Sequence, residues 1–266
     1  MSARRAHWPE YAIEALALAT FMLSACAFGT LLGHPASPVH RALAGTPPVA
    51  QRALMGTLMG LTAIALVYSP FGKRSGAHMN PALTLTFLRL GKVARHDALA
   101  YIVAQFVGGT LGVMLAHRLI GMALGDPAVR FVVTRPGPRG VTYAFAGEVA
   151  ITFVLVSVVL RAQASARWSR FTGVLAGALV AAYITLESPL SGMSMNPART
   201  LGSSLAAGDW TALWVYFVAP PLGMLLAAQL YVARRGRGAV ACPKMAHAEP
   251  CIFCEHAEAR ARLVEP

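Results

Sequence analysis

The triplet Asn-Pro-Ala occurs twice in this 266-residue chain, at Asn80-Pro81-Ala82 and Asn196-Pro197-Ala198. An asparagine before proline suits a helix start: its side-chain oxygen accepts first-turn amides, and proline at the first position lacks only a hydrogen that would be orphaned anyway. The amide nitrogen is left to donate to an oxygen-bearing solute. Arg199 follows in the first turn of the second start, where the helix dipole disfavours a cation. Placed there, a guanidinium repels cations and offers several N–H donors to a neutral solute. Glu14 and Glu148 recur early in two apolar segments, and such acids are expected to accept hydrogen bonds from irregular backbone ahead of the two helix starts. A last group is Cys242, Cys251 and Cys254, with His247 and His256 interleaved. Cys-x2-Cys with a further Cys and a His is a donor set for tetrahedral zinc, and three thiolates alone suit a soft trivalent metalloid. In a reducing cytosol these thiols stay reduced. No other cofactor is implied, and Cys26 reads as a small packing residue.

The elements that must carry these residues are unusual in length. The runs opened by the triplets, 81–90 and 197–207, end before Gly91 and Gly208 and would be about 15 Å long, half the thickness of a hydrocarbon core. Around them lie six apolar stretches of spanning length, 11–33, 49–71, 98–120, 141–160, 171–186 and 210–232. The chain is 56% hydrophobic and only 13% charged, against roughly 25% charged in soluble domains, which excludes an ordinary soluble protein. Each half holds three spans and one half-span, and an odd number of spans inverts the second half relative to the first. Paired short segments in matching positions point to broken helices meeting at a midplane pore. The net charge of +12 suggests nucleic acid less than orientation. Basic residues such as Arg4, Arg5, Lys73, Arg74, Arg161 and Arg167 gather on one side, which the positive-inside rule makes cytoplasmic together with both termini. No cleavable signal peptide is evident. The segment after Val232 is charged and expected to be mobile.

At this point the stretches from Ser75 to Ala82 and from Ser191 to Arg199 resemble the two signature loops of the major intrinsic protein family, the aquaporins and aquaglyceroporins. The resemblance is to a bacterial-type member carrying an additional cysteine-containing tail. It implies an all-α membrane protein: an aquaporin-like right-handed bundle of six transmembrane helices plus two re-entrant half-helices, arranged as an inverted repeat. Residues 1–9 would be a cytoplasmic segment, 10–233 the channel in two halves (about 10–120 and 141–233), and 234–266 a cytoplasmic tail. The resemblance also implies a homotetramer in the lipid bilayer, in the plasma (inner) membrane, passing water or small neutral solutes while excluding protons and ions. Neither an enzyme nor a nucleic-acid partner is implied.

By the same resemblance, substrate choice rests on a constriction formed by Arg199, Met193, Ile184 and either Met59 or Gly60. Water-selective members place Phe, His, a small residue and Arg there, and this chain keeps only the Arg. An apolar constriction favours a glycerol or metalloid-hydroxide facilitator. Against that stand Thr200, where the glycerol branch has Asp, and Tyr216-Phe217, which resembles the aromatic pair of water channels. Glu187 is read as solvated at the mouth or paired with an arginine, and His78 as packing around the first loop rather than titrating as a gate. An ion-coupled transporter would place an ionisable coupling residue beside its substrate site, and the pore elements present Asn and Arg with no acid between them.

Overall fold

The structure is a computed structural model that describes residues 7–236, 242–246 and 251–254. In chain order its α-helices are α1 (Trp8–Gly33), α2 (Pro38–Ala42), α3 (Pro48–Tyr68), α4 (Pro70–Ser75), α5 (Pro81–Arg89) and α6 (Arg95–Ile120). There follow α7 (Val141–Gln163), α8 (Thr172–Leu186), α9 (Ser188–Ser191), α10 (Pro197–Ala207) and α11 (Leu213–Arg235). Six of these, α1, α3, α6, α7, α8 and α11, are long and apolar enough to cross a membrane. Their outward faces carry exposed Leu16, Leu99, Leu111, Leu119 and Leu226, a surface suited to hydrocarbon.

Two boundaries fall three residues short of the sequence expectation, each for a local reason. The second span stops at Tyr68, because Ser69 precedes Pro70 and takes an extended ψ of 156°. Ser69 then caps the short α4 by accepting the amide of Gly72. The last span begins at Leu213, since Ala212 before it has φ 50°, outside helical space.

The long helices pair as α1 with α6, α7 with α11 and α3 with α8, while each half-helix packs on α6 and α11. Exchanging α1 for α7, α3 for α8, α5 for α10 and α6 for α11 maps these pairs onto one another, which is the internal two-fold of an inverted repeat. Close approach makes the pairs possible. At the centre, a Cβ on Gly60 would lie 2.6 Å from the Gly177 carbonyl oxygen, and one on Gly177 would lie 2.7 Å from that of Gly60. Between α1 and α6, a Cβ on Gly108 or Gly112 would strike the backbone of Ala15 or Ala19. Glycines and alanines four apart thus let backbones touch inside a single chain, as small residues do in membrane interfaces.

Candidate pore

Both half-helices start as their sequences require. The Asn80 side chain accepts the Ala82 amide (2.9 Å), and that of Asn196 accepts the amides of Ala198 (3.0 Å) and Arg199 (3.3 Å). Each asparagine also reaches across to the other half. Asn80 Nδ2 donates to the Met195 carbonyl (2.7 Å) and Asn196 Nδ2 to the Met79 carbonyl (2.6 Å). This differs from the expectation that both amides face a passing solute. One N–H of each locks the opposite loop, and the second N–H is the one available to the lumen, because an amide group carries two donors.

The loops entering the half-helices are held by buried acids. The Glu14 carboxylate accepts the amides of His78 (3.0 Å) and Met79 (2.6 Å), the Ser75 hydroxyl (2.8 Å) and Gln105 Nε2 (2.9 Å). Glu148 accepts the amides of Ser194 (2.6 Å) and Met195 (2.7 Å) and the Ser191 hydroxyl (2.9 Å). The matching tyrosines follow the same symmetry: Tyr101 donates to the Ser75 carbonyl (2.7 Å) and Tyr216 to that of Ser191 (2.6 Å). Such loops are strained. Gly76 and Gly192 sit at φ 97° and 80°, and Ala77, Met79, Met193 and Met195 take φ between 48° and 56° without being glycine. Turning the backbone this way aims successive N–H groups at one point, and the carboxylate there offsets the strain through charged hydrogen bonds.

Between the two loops lies one cavity of about 310 Å³. It runs from Arg52, Ile184, Ser188 and Arg199 at one end, past Asn80 and Asn196, to Val67, His78, Gly173 and Met245 at the other. Of the two candidates on α3, Met59 lines it, whereas Gly60 packs against Gly177. Met193 and Ile184 line it as well. Arg199 donates to the hydroxyl of Thr134 in the loop between α6 and α7, which fixes the guanidinium at the wall. Pro81, Ala82, Pro197 and Ala198 are buried behind the asparagines, where the small alanines let the half-helices approach other backbone: a Cβ on Gly109 would lie 2.9 Å from the Ala198 carbonyl oxygen.

Several lining residues escaped the sequence reading. Met55 lies one turn from Met59 on the same face, and Arg52, Met55, Met59, Ala63 and Val67 form a stripe at spacings of three and four that marks the lumen side of α3. The signal was present but is that of any buried helical face. Met79 and Met195 line the cavity through their strained loop positions, which no spacing announces.

Glu187 is a correction. It is neither solvated at the mouth nor paired with an arginine: its Oε2 accepts the Ser191 hydroxyl (2.9 Å), and its Oε1 has no hydrogen-bond partner among the described residues and lies where a Cβ on Gly147 would meet it at 2.5 Å. Just past the end of α8, burial pushes this carboxyl up to about 8, so at neutral pH it adds little charge to the mouth. Phe217 also has a packing role, stacking on Phe106 with ring centres 5.9 Å apart. His78 is buried between Phe87 and Phe253. The expected mobile tail is the larger correction, because its described part packs against the first loop: Met245 donates its amide to the Gly76 carbonyl (3.1 Å) and Phe253 is 2% exposed. The sulfurs of Cys242, Cys251 and Cys254 lie within 4.8 Å of one another, while His247 and His256 fall outside the described residues.

The family model for the major intrinsic proteins matches residues 4–231. The chain belongs to that family. Among curated relatives, aquaporin NIP1-1 of Arabidopsis thaliana is 33% identical over 177 residues, covering 65% of this chain and 59% of the relative. Aquaporin NIP1-1 of Zea mays is 37% identical over 176 residues with the same coverage, and aquaporin NIP2-3 of Zea mays is 37% identical over 189 residues, covering 70% and 60%. The chain therefore spans about three fifths of the length of these relatives. The X-ray structure of the aquaglyceroporin from Plasmodium falciparum superposes with a TM-score of 0.70, over 85% of this chain and 96% of that one, at 22% identity, a likeness of fold. Both Asn-Pro-Ala starts, both acids and Arg199 lie inside the major intrinsic protein region, and the three tail cysteines lie beyond it.

Proposed function

We propose that the protein is a passive membrane channel for water and small uncharged solutes that excludes protons and ions. The observation carrying this reading is the cavity between two opposed half-helix starts, lined by Asn80, Asn196 and Arg199 and, among its described lining residues, by no carboxylate. Two helix N-termini bring roughly half a positive charge each to the centre, and Arg199 adds a fixed charge, so cations and hydronium meet a rising potential. A neutral oxygen meets N–H donors. Without a carboxylate among the described lining residues to carry a coupling cation, uphill transport has no support there, and nothing described in the lining groups a nucleophile with a base.

The positive-inside bias supports cytoplasmic termini in a plasma (inner) membrane, and the family resemblance supports a homotetramer with one pore per chain. A second reading, a glycerol or metalloid-hydroxide facilitator, is favoured by one observation: apart from Arg199, the proposed filter positions Ile184, Met193 and Met59 are apolar. Such a wall binds carbon-bearing or weakly polar solutes better than one with a histidine edge. Stopped-flow light scattering on reconstituted vesicles tests both. Osmotic water flow well above that of empty vesicles supports the first, and rapid glycerol or arsenite entry the second. Flow equal to that of empty vesicles removes the channel reading, and uphill uptake driven by an ion gradient replaces it with a transporter.

A further inference from the structure

The described part of the tail sits where the lumen opens on the side of the chain ends. Met245 lines the cavity, and Cys251, Ile252 and Phe253 join Val67, Ala77, Phe87 and Tyr101 in one buried core. Phe253 stacks on His78 with ring centres 5.5 Å apart and planes 5° from parallel, and meets Tyr101 edge-on. His78 Nε2 faces the Pro243 carbonyl at 3.2 Å, and a carbonyl only accepts, so Nε2 carries the hydrogen. Gln163 Nε2 donates to the Lys244 carbonyl (2.9 Å). At Gly76, whose φ of 97° favours glycine, a Cβ would stand 3.1 Å from the Phe253 ring, tighter than ordinary contact.

Behind this plug the three sulfurs converge: Cys242 and Cys251 are 3.6 Å apart, and so are Cys251 and Cys254. A metal with bonds to sulfur of about 2.3 Å in tetrahedral geometry sets sulfur–sulfur edges of about 3.8 Å; the two edges at Cys251 are close to that, and all three sulfurs lie within 4.8 Å of one another.

The geometry points to a three-thiolate site for a soft, thiophilic ion, made by Cys242, Cys251 and Cys254, whose occupancy clamps the tail in the mouth and closes the lumen. The closing half of this inference rests on the channel reading above; the binding half does not. Zinc(II) would bind as the thiols release their protons. Trivalent arsenic, as its neutral trihydroxide, would exchange three hydroxides for three cysteine sulfurs, each hydroxide leaving as water with the proton of the thiol that replaces it, with no change of oxidation state. Because the cysteines converge while the plug is seated, an ion that needs all three binds the seated tail. At about 100 times its dissociation constant it would then shift the ratio of seated to unseated tails roughly 100-fold.

The test uses the full chain with its thiols reduced beforehand and the reductant removed without admitting air. Equilibrium dialysis with zinc chloride or sodium arsenite is expected to show one ion per chain and protection of three thiols from Ellman's reagent, both lost in a Cys251→Ser, Cys254→Ser variant of unchanged melting temperature. The two arms tell which ion the site takes, and stoichiometric binding of neither overturns it. In vesicles, the bound ion is expected to lower water flow several-fold, with recovery on adding a chelator or dithiol. Phe253→Ala is expected to conduct faster than wild type and to ignore the ion. Binding without any change in flow, in vesicles that do conduct, overturns the clamp. If neither wild type nor Phe253→Ala conducts above empty vesicles, the channel reading fails and the dialysis alone decides the thiolate site.

Discussion

Removing the Glu148 carboxylate would strand the amides of Ser194 and Met195 in the interior, while the Ser191 hydroxyl keeps Glu187 as an acceptor. Each buried donor left without an acceptor costs about 1–3 kcal/mol. Glu148→Ala is therefore expected to lose about 2–6 kcal/mol and Glu148→Gln less, since one amide oxygen still accepts. Thermal unfolding in detergent reads the difference, and equal losses would mean that shape rather than hydrogen bonding matters at this position. For solute choice the residue to change is Ile184. Ile184→His adds a polar edge opposite Arg199, and the ratio of glycerol to water permeability is expected to fall; a constant ratio would locate the limiting constriction elsewhere, with Met55 the first alternative. Residue types alone named Asn80, Asn196 and Arg199, because capping and charge at a helix start are local chemistry. They left Met59 and Gly60 undecided, since one inserted residue shifts the register by 100° of helix, and only the packing of Gly60 on Gly177 separates them.

The helices were legible to within a few residues where a local signal ended them, as at Gly208, and misjudged where proline or an αL residue intervened, as at Ser69 and Ala212. What hydropathy does not disclose is which spans touch. The α3–α8 contact depends on glycine carbonyls meeting across the centre, so Gly177→Val is expected to be costly: its Cβ alone would sit 2.4 Å from Ile64 Cγ1 and 2.7 Å from the Gly60 oxygen. Overpacking of this kind costs about 1–3 kcal/mol. A lower melting temperature and a smaller monodisperse fraction on size exclusion are the expected readouts, and an unchanged melting temperature would mean that α3 and α8 separate freely.

At the scale of the whole molecule, the inverted repeat could be inferred because an odd number of spans per half admits one topology in a bilayer. The seat of the tail could not. Its anchors join residues far apart in the chain, such as His78 with Pro243, 165 positions away, and a Cys-rich segment after the last span carries no periodicity that names its docking surface. The same long reach joins the two halves at the centre: Asn80 donates to the carbonyl of Met195, 115 residues later, and Asn196 returns the bond to Met79. At a synthesis rate of about 5–20 residues per second, Met195 leaves the ribosome roughly 6–23 s after Asn80. Throughout that interval the first re-entrant loop lacks its partner, so it must be sheltered or held out of lipid during insertion, and the midplane can close only once the second loop has been made.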